Sequence, residues 1–222
     1  IKESYRYLLE DLWNDTCSGH NIKKTVFIDC GQEYYSEGPY RFKPVGETEF
    51  VVEIAKQAQE DLSKAQISGI VGHANMMLGT SVNEVLEMHI EKGDGLFRGI
   101  RHAGGWDEDE RVKNAHSHPT PHIYLEDEFQ KGLEELATLN LVFDTWHYHN
   151  QIKDLTTLAK NLPELVIIHD HFGGPLGIGP YKNKREEIFE IWKEDIVDLS
   201  QCPNVYSKSV SYTHLRAHET QR

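Results

Sequence analysis

Apolar residues along the chain switch repeatedly between short unbroken runs and a spacing of three to four. Runs at 25–30 (TVFIDC), 67–73 (ISGIVGH), 96–102 (LFRGIRH), 141–149 (LVFDTWHYH) and 165–168 (LVII) predict strands, and 204–208 (NVYSK) begins one more. Between them lie helical patterns. Tyr5, Leu8, Leu9 and Leu12 mark a helix over 1–15. Thr48 is the expected N-cap of the next, running to about Lys64 with Phe50, Ile54, Ala58 and Leu62 on one face. Further helices are predicted over 81–92 (Val82, Val85, Leu86, Ile90), 127–139 (Phe129, Leu133, Leu136), 151–161 and 184–199 (Ile188, Trp192, Ile196, Leu199). Gly99 is expected to break its strand, and 104–125 forms a long irregular insert.

Strand and helix patterns alternate six times, with connections long enough for right-handed parallel crossovers. The expected class is α/β, with a barrel of parallel strands favoured over a doubly wound open sheet. No Gly-rich nucleotide loop is present. The chain is expected to form one domain over 1–208.

One stretch stands out. In LVIIHDHFGGPLGIGP, residues 165–180, an apolar run expected to be buried on both faces delivers His169, Asp170 and His171 to a strand end, before a loop rich in Gly and Pro. In α/β folds the carboxyl ends of strands carry the chemistry. Side-chain alternation extends the set. If His149 faces the interior, His147 and Thr145 share its side, while Arg101 shares a side with Gly99. One solution therefore gathers His149, His171 and Arg101 at a cavity mouth, with Asp170 turned away. Imidazole serves as a metal ligand or general base, and a guanidinium clamps carboxylates. The alternative is that Arg101 pairs with an acidic neighbour and the histidines are satisfied core groups. His116, His118 and His122 in the insert are expected to be exposed loop residues.

Composition narrows the classes. The 222 residues carry 36 Asp and Glu against 23 Lys and Arg, a formal charge of −13, which argues against a nucleic-acid partner. Three dispersed cysteines (Cys17, Cys30, Cys202) fit a reducing, cytoplasmic setting without a disulfide framework. No apolar run approaches the roughly 20 residues of a membrane span, so no membrane partner is expected.

The segments TVFIDC, PVGETEFV, FRGIRH, FDTWHYH, LVIIHDHFGGPLGIGPY and CPNVYSK, in this order and spacing, resemble the amidohydrolase-related (family 2) proteins, metal-dependent hydrolases of the amidohydrolase superfamily. The resemblance covers about 5–208. It implies a distorted (β/α)8 TIM barrel, here incomplete, with strands two to seven present and the first and eighth missing. It implies hydrolysis of a small carboxylated lactone or amide by activated water, with a decarboxylase or hydratase type of lyase, or a non-catalytic binding barrel, as alternatives. His171 matches the family's strand-six ligand or catalytic base, and Arg101 the arginine that engages substrate carboxylate; His147, on the side of His149, is a further candidate substrate contact. His149 matches a metal ligand and is followed by Asn150 where Pro is common. The implied cofactor is a divalent metal such as zinc. Its remaining ligands, a His-x-His pair and an Asp, would lie outside this chain, so the chain alone is expected to be inactive and aggregation-prone. The partner expected is a small-molecule substrate. Finally, VSYTHLRAHET at 210–220 fits no element or family motif and resembles a translated sequencing adapter. Residues 209–222 are therefore expected to be non-native, which removes His214 and His218 from the chemistry.

Overall fold

The structure, a computed structural model, describes residues 7–209. Tyr5 of the first predicted helix, and all of the expected adapter-like tail except Ser209, lie outside the described residues. The chain divides into two compact units. One takes residues up to Ala74 together with Glu84–Arg98; the other takes Asn75–Asn83 and the chain from Gly99 onward.

The first unit contains α1 (Leu9–Thr16), β1 (Lys24–Ile28), α2 (Val45–Ala58), β2 (Gln66–His73) and all but the first residue of α3 (Asn83–Lys92). Strands β1 and β2 pair in parallel, with Phe27 opposite Ile70 and an irregularity between Thr25 and Val26. Val51, Val52 and Ile70 form the centre of its core, with Phe27, Phe50, Ile67 and Leu96 packed around them.

Helix α2 departs from its predicted phase. It starts at Val45, behind Pro44 at φ −62°, and Thr48 lies inside it rather than capping it. Proline suits that position because its fixed φ is already helical and the missing N–H has no helical acceptor there. The buried face is Val45, Thr48, Val51, Val52, Ala55 and Ala58, and Leu62 lies exposed beyond the helix end. The apolar positions alone misplace the face because Thr48 and Glu47 are buried polar residues. Thr48 is buried against His89. The His73 carbonyl sits 3.0 Å from His89 Nε2 and can only accept, so Nε2–H donates there and Nδ1 accepts from the Thr48 hydroxyl at 2.8 Å. Burial keeps this ring neutral, pushing its pKa down to about 4.

The second unit holds the end of β3 (Phe97–Arg101), then α4 (Asp127–Thr138), β4 (Val142–Thr145), α5 (Ile152–Asn161), β5 (Ile167–His169), α6 (Arg185–Leu199) and β6 (Val205–Ser207). Strands β3, β4, β5 and β6 are parallel neighbours in chain order. Both units are thus α/β with parallel strands, as the alternating pattern predicts. Ile100, Phe143 and Ile167 lie in one register row and are fully buried; Phe143 meets Phe129 of α4 edge to face at 5.8 Å. Arg101, Asp144, Ile168 and Tyr206 form the next row, on the opposite face.

Two strands are shorter than their apolar runs. The 141–149 run is a strand only to Thr145, and His149 opens a 3₁₀ turn, His149–Gln151. In the 165–168 run, pairing starts at Ile167; Val166 is exposed and Ile168 half-buried. It is therefore not buried on both faces, because its second face belongs to the partly open Arg101 row. Gly99 does not break β3. It lies opposite Val142, whose carbonyl passes where a β-carbon would stand.

That close approach sets a test. Gly99→Ala forces β3 and β4 apart and is expected to cost about 1–3 kcal/mol in urea denaturation. An unchanged midpoint would show that the strands are not held so tightly.

Candidate functional site

The strand ends of the second unit converge on a ring of four charges. Arg101, last in β3, donates from Nε to Asp144 Oδ1 (2.6 Å) and from Nη2 to Asp170 Oδ2 (2.5 Å). Lys208, just past β6, donates to Asp144 Oδ2 and lies 2.9 Å from Asp170 Oδ1. Its backbone N–H is fixed by the His169 carbonyl. Each cation thus touches both carboxylates. The carboxylates are buried, with Asp144 at 1% and Asp170 at 0% exposure, whereas the Arg101 and Lys208 side chains keep 20% and 28%. The surface that this ring offers to solvent is therefore cationic. Desolvation raises the Asp144 pKa, and Arg101 opposes that shift.

Asp170 was expected to turn away and instead closes this ring. The register explains this: Ile168 shares the row of Arg101 and Asp144, so Asp170, two residues later, comes up on the Arg101 side, whereas His169 belongs to the row of Thr145. Arg101 does pair with acidic neighbours, the alternative that the sequence also allows. Asp144 carries a signal in the sequence, a carboxylate inside the apolar run LVFDT; its register with Arg101 comes from the structure. Lys208 offered none beyond its place after a strand.

The histidines divide between two places. His147 and His169 are buried and stacked, their ring centres 5.0 Å apart. His147 Nδ1–H donates to the Tyr148 carbonyl at 2.7 Å, and His169 Nδ1 meets the Ser207 hydroxyl at 3.1 Å. Both Nε2 atoms are buried without a partner among the described residues. Desolvation, reinforced for His169 by the neighbouring His147 and His171, pushes the pKa values down to about 4 and about 2. Both rings are neutral. With 1% exposure, His147 meets other side chains of the core rather than solvent.

His171 is half-buried and lies in the field of the ring. Burial lowers its pKa; Asp170 works against that, and Arg101 and Lys208 add to it. Its backbone is left-handed (φ 53°, ψ 31°), as is that of Phe172, and Gly173 and Gly174 also have positive φ. Two non-glycine residues held there are strained, the kind of cost that concentrates at functional sites. Trp192 of α6 anchors the turn, donating to the Phe172 carbonyl at 2.6 Å. At Gly173 any β-carbon would press on Ile152 and on His169 Nε2.

His149 goes elsewhere, edge-on to Tyr181 at 4.9 Å and beside a cavity that Asp107 also lines. The buried Asp107 accepts from the Tyr181 hydroxyl (2.6 Å) and the Asn150 amide (3.2 Å). Burial moves the His149 pKa down to about 4, against the pull of Asp107. The structure thus brings Arg101 and His171 into one electrostatic neighbourhood and places His149 at Asp107. The register accounts for the difference: Arg101 pairs with Asp144, so Thr145 and the side that it shares with His149 face away from Arg101. His116, His118 and His122 are exposed, as expected for the insert. Among the described residues, no three His, Cys, Asp or Glu side chains converge as a metal site, so these residues alone do not fit a metal ion. No helix among them is long and apolar enough to cross a membrane.

Residues 40–220 match the family model described as amidohydrolase. The uncharacterized protein y4mH of Sinorhizobium fredii is 28% identical over 202 residues, which is 91% of this chain and 59% of that protein; the chain thus spans well under two thirds of this relative. Two crystal structures of an amidohydrolase from Burkholderia multivorans, one with bound HEPES and one with bound Zn, are 18% identical to this chain. They superpose with TM-scores of 0.63 and 0.62, over 96% of this chain and 67% and 66% of theirs, which establishes a shared fold.

The buried histidines set a pH dependence. Their folded pKa values lie below the ordinary 6.5, so between pH 6.5 and about 4 the unfolded chain binds more protons. Stability is then complete above 6.5 and falls as pH drops, by up to about 1.4 kcal/mol per pH unit for each histidine. Urea denaturation at about pH 7.5 and about pH 5 should show this loss, smaller in His169→Gln. Equal losses in variant and parent would mean that His169 is not held neutral.

Proposed function

The chain belongs to the amidohydrolase family, and we propose that it carries part of the site of a hydrolase opening a small carboxylated lactone or amide. The observation that carries this reading is the ring in which two buried carboxylates fix Arg101 and Lys208 with only the cations reaching solvent. Such a rim recognises an anion, and a guanidinium matches a carboxylate in shape as well as charge. The sequential parallel strands and the fold shared with the Burkholderia protein support assigning β1–β6 to the second through seventh strands of a distorted (β/α)8 barrel.

In this mechanism Arg101 and Lys208 hold the substrate carboxylate and place the scissile carbonyl near His171. His171 is neutral because burial lowers its pKa, so it can accept a proton from water as the water oxygen attacks the carbonyl carbon. The same proton then passes to the leaving oxygen or nitrogen as the ring opens. The strained turn anchored by Trp192 fixes the imidazole for both transfers. The zinc of the Burkholderia protein raises a metal role for His149, whose Nδ1 has no partner among the described residues. A metal there would need ligands from outside the described residues, and no step above depends on one.

His171→Ala in the complete protein is expected to lower turnover on a carboxylated lactone at least about 100-fold, the size of a general-base contribution. In the parent, kcat/KM should fall on the acid side of the lowered His171 pKa as the imidazole protonates. Unchanged turnover in the variant would remove His171 from the reaction. Release of carbon dioxide in place of ring opening would assign the site to a lyase instead.

A further inference from the structure

The segment between the His171 turn and α6 is held differently from the rest of its unit. None of residues 174–184 is buried. The backbone hydrogen bonds of 175–183 close turns inside the segment, from Tyr181 N–H to the Ile178 carbonyl and from Lys182 N–H to the Gly179 carbonyl. Left-handed backbone marks both ends, at Gly173 and Gly174 on one side and at Asn183 on the other. Few buried contacts and exposed hydrogen bonds characterise a segment that opens locally while the surrounding fold stays intact. Among the described residues, its hydrogen bond to another loop is the one from the Tyr181 hydroxyl to Asp107 Oδ2, at 2.6 Å.

The acceptor of that bond is fixed independently. Asp107 is buried, and its carboxylate also accepts from the Asn150 amide at 3.2 Å and from the Asp109 N–H at 2.9 Å. Its own N–H donates to the Asn114 side chain at 2.7 Å, and the Gln151 amide holds the neighbouring Trp106 carbonyl at 2.7 Å. Several bonds fix one partner and this one bond ties down the other, so breaking it frees the 175–183 segment and leaves the insert in place. The segment covers His149. Tyr181 stands edge-on to that ring, and Pro180, Tyr181 and His149 line the same cavity of about 670 Å³. His149 is left 4% exposed.

We propose that residues 175–183 are a strap closed over His149, and that the Tyr181–Asp107 hydrogen bond is the latch that sets how often the strap opens. A hydrogen bond to a carboxylate is stronger than one between neutral groups, so this single contact carries a large share of the closure. Burial and the adjacent Asp107 push the Tyr181 pKa up, and the hydroxyl therefore keeps the proton that the latch requires.

Acylation of imidazoles by diethyl pyrocarbonate, mapped by peptide mass spectrometry on the full chain at about pH 7, reads the opening directly. In the parent, His149 should react at least about tenfold more slowly than the exposed His20. Tyr181→Phe keeps the ring and removes the hydroxyl, and Asp107 retains its other donors, so folding is not at issue. The variant should label His149 at least about tenfold faster, with the buried His147 and His169 still protected. Tryptic cleavage after Lys182 and Lys184 should accelerate in step, because both rates follow the population of the open strap. Parent His149 as reactive as His20, or unchanged His149 labelling in Tyr181→Phe, would overturn the proposal. So would faster labelling without faster cleavage, or labelling of His147 and His169 together with His149. Both measurements are made on the resting protein without substrate, so their outcome is separate from the fate of the hydrolytic reading.

Discussion

Two carboxylates without solvent and two cations with some of it hold the second unit together at its strand ends. Asp144 and Asp170 are buried, and a buried charge without a partner is strongly disfavoured. Arg101 and Lys208 each reach both of them, and the four residues come from β3, β4, the turn after β5 and the residue after β6. The register of four parallel strands is therefore tied to one electrostatic arrangement. A slip of one residue in any strand would move its charge to the opposite, apolar face. The same arrangement decides what the site presents outward, because the partners that remain accessible are both positive.

Next to this ring the structure stores neutral imidazole. His147 and His169 are stacked, each with one nitrogen bonded and the other without a partner among the described residues, and desolvation keeps both rings neutral. His171 is the member of the group that reaches the surface, and it does so on a left-handed backbone that an isolated peptide would avoid. The turn persists because its surroundings determine it. Trp192 holds the Phe172 carbonyl, and Gly173 passes where no side chain fits against His169. Orientation of the one accessible imidazole is thus a property of α6 and β5 packing rather than of the HDHFGG segment alone.

Some of this was legible along the chain. The strand order, the helices between strands and the concentration of polar groups after 165–168 follow from hydrophobic period, which is local and repeats along each element. Arg101 and His171 both stand at strand ends along the sequence; Arg101 is part of the ring, and His171 lies in its field. The faces of Asp170 and His149 relative to Arg101 are not legible, because they depend on the register between strands: Arg101 pairs with Asp144 and, through it, Ile168, which puts Asp170 on its side and Thr145 with His169 on the other. Thr48 looked like a cap because small hydroxyl residues favour that position, yet it serves a buried histidine 41 residues away in sequence.

What the sequence determined by itself was therefore the class of fold, the list of elements and the strand ends where chemistry collects, since each depends on neighbours within a few residues. Only the tertiary structure decided which charges meet. Asp144 and Lys208 lie 64 residues apart, and Arg101 and Asp170 lie 69 apart. No local pattern encodes such pairings, because they depend on the register of separate strands and on where each strand stops. The same holds for burial, which sets the protonation of every histidine in the site and is a property of what packs around a residue, not of the residue.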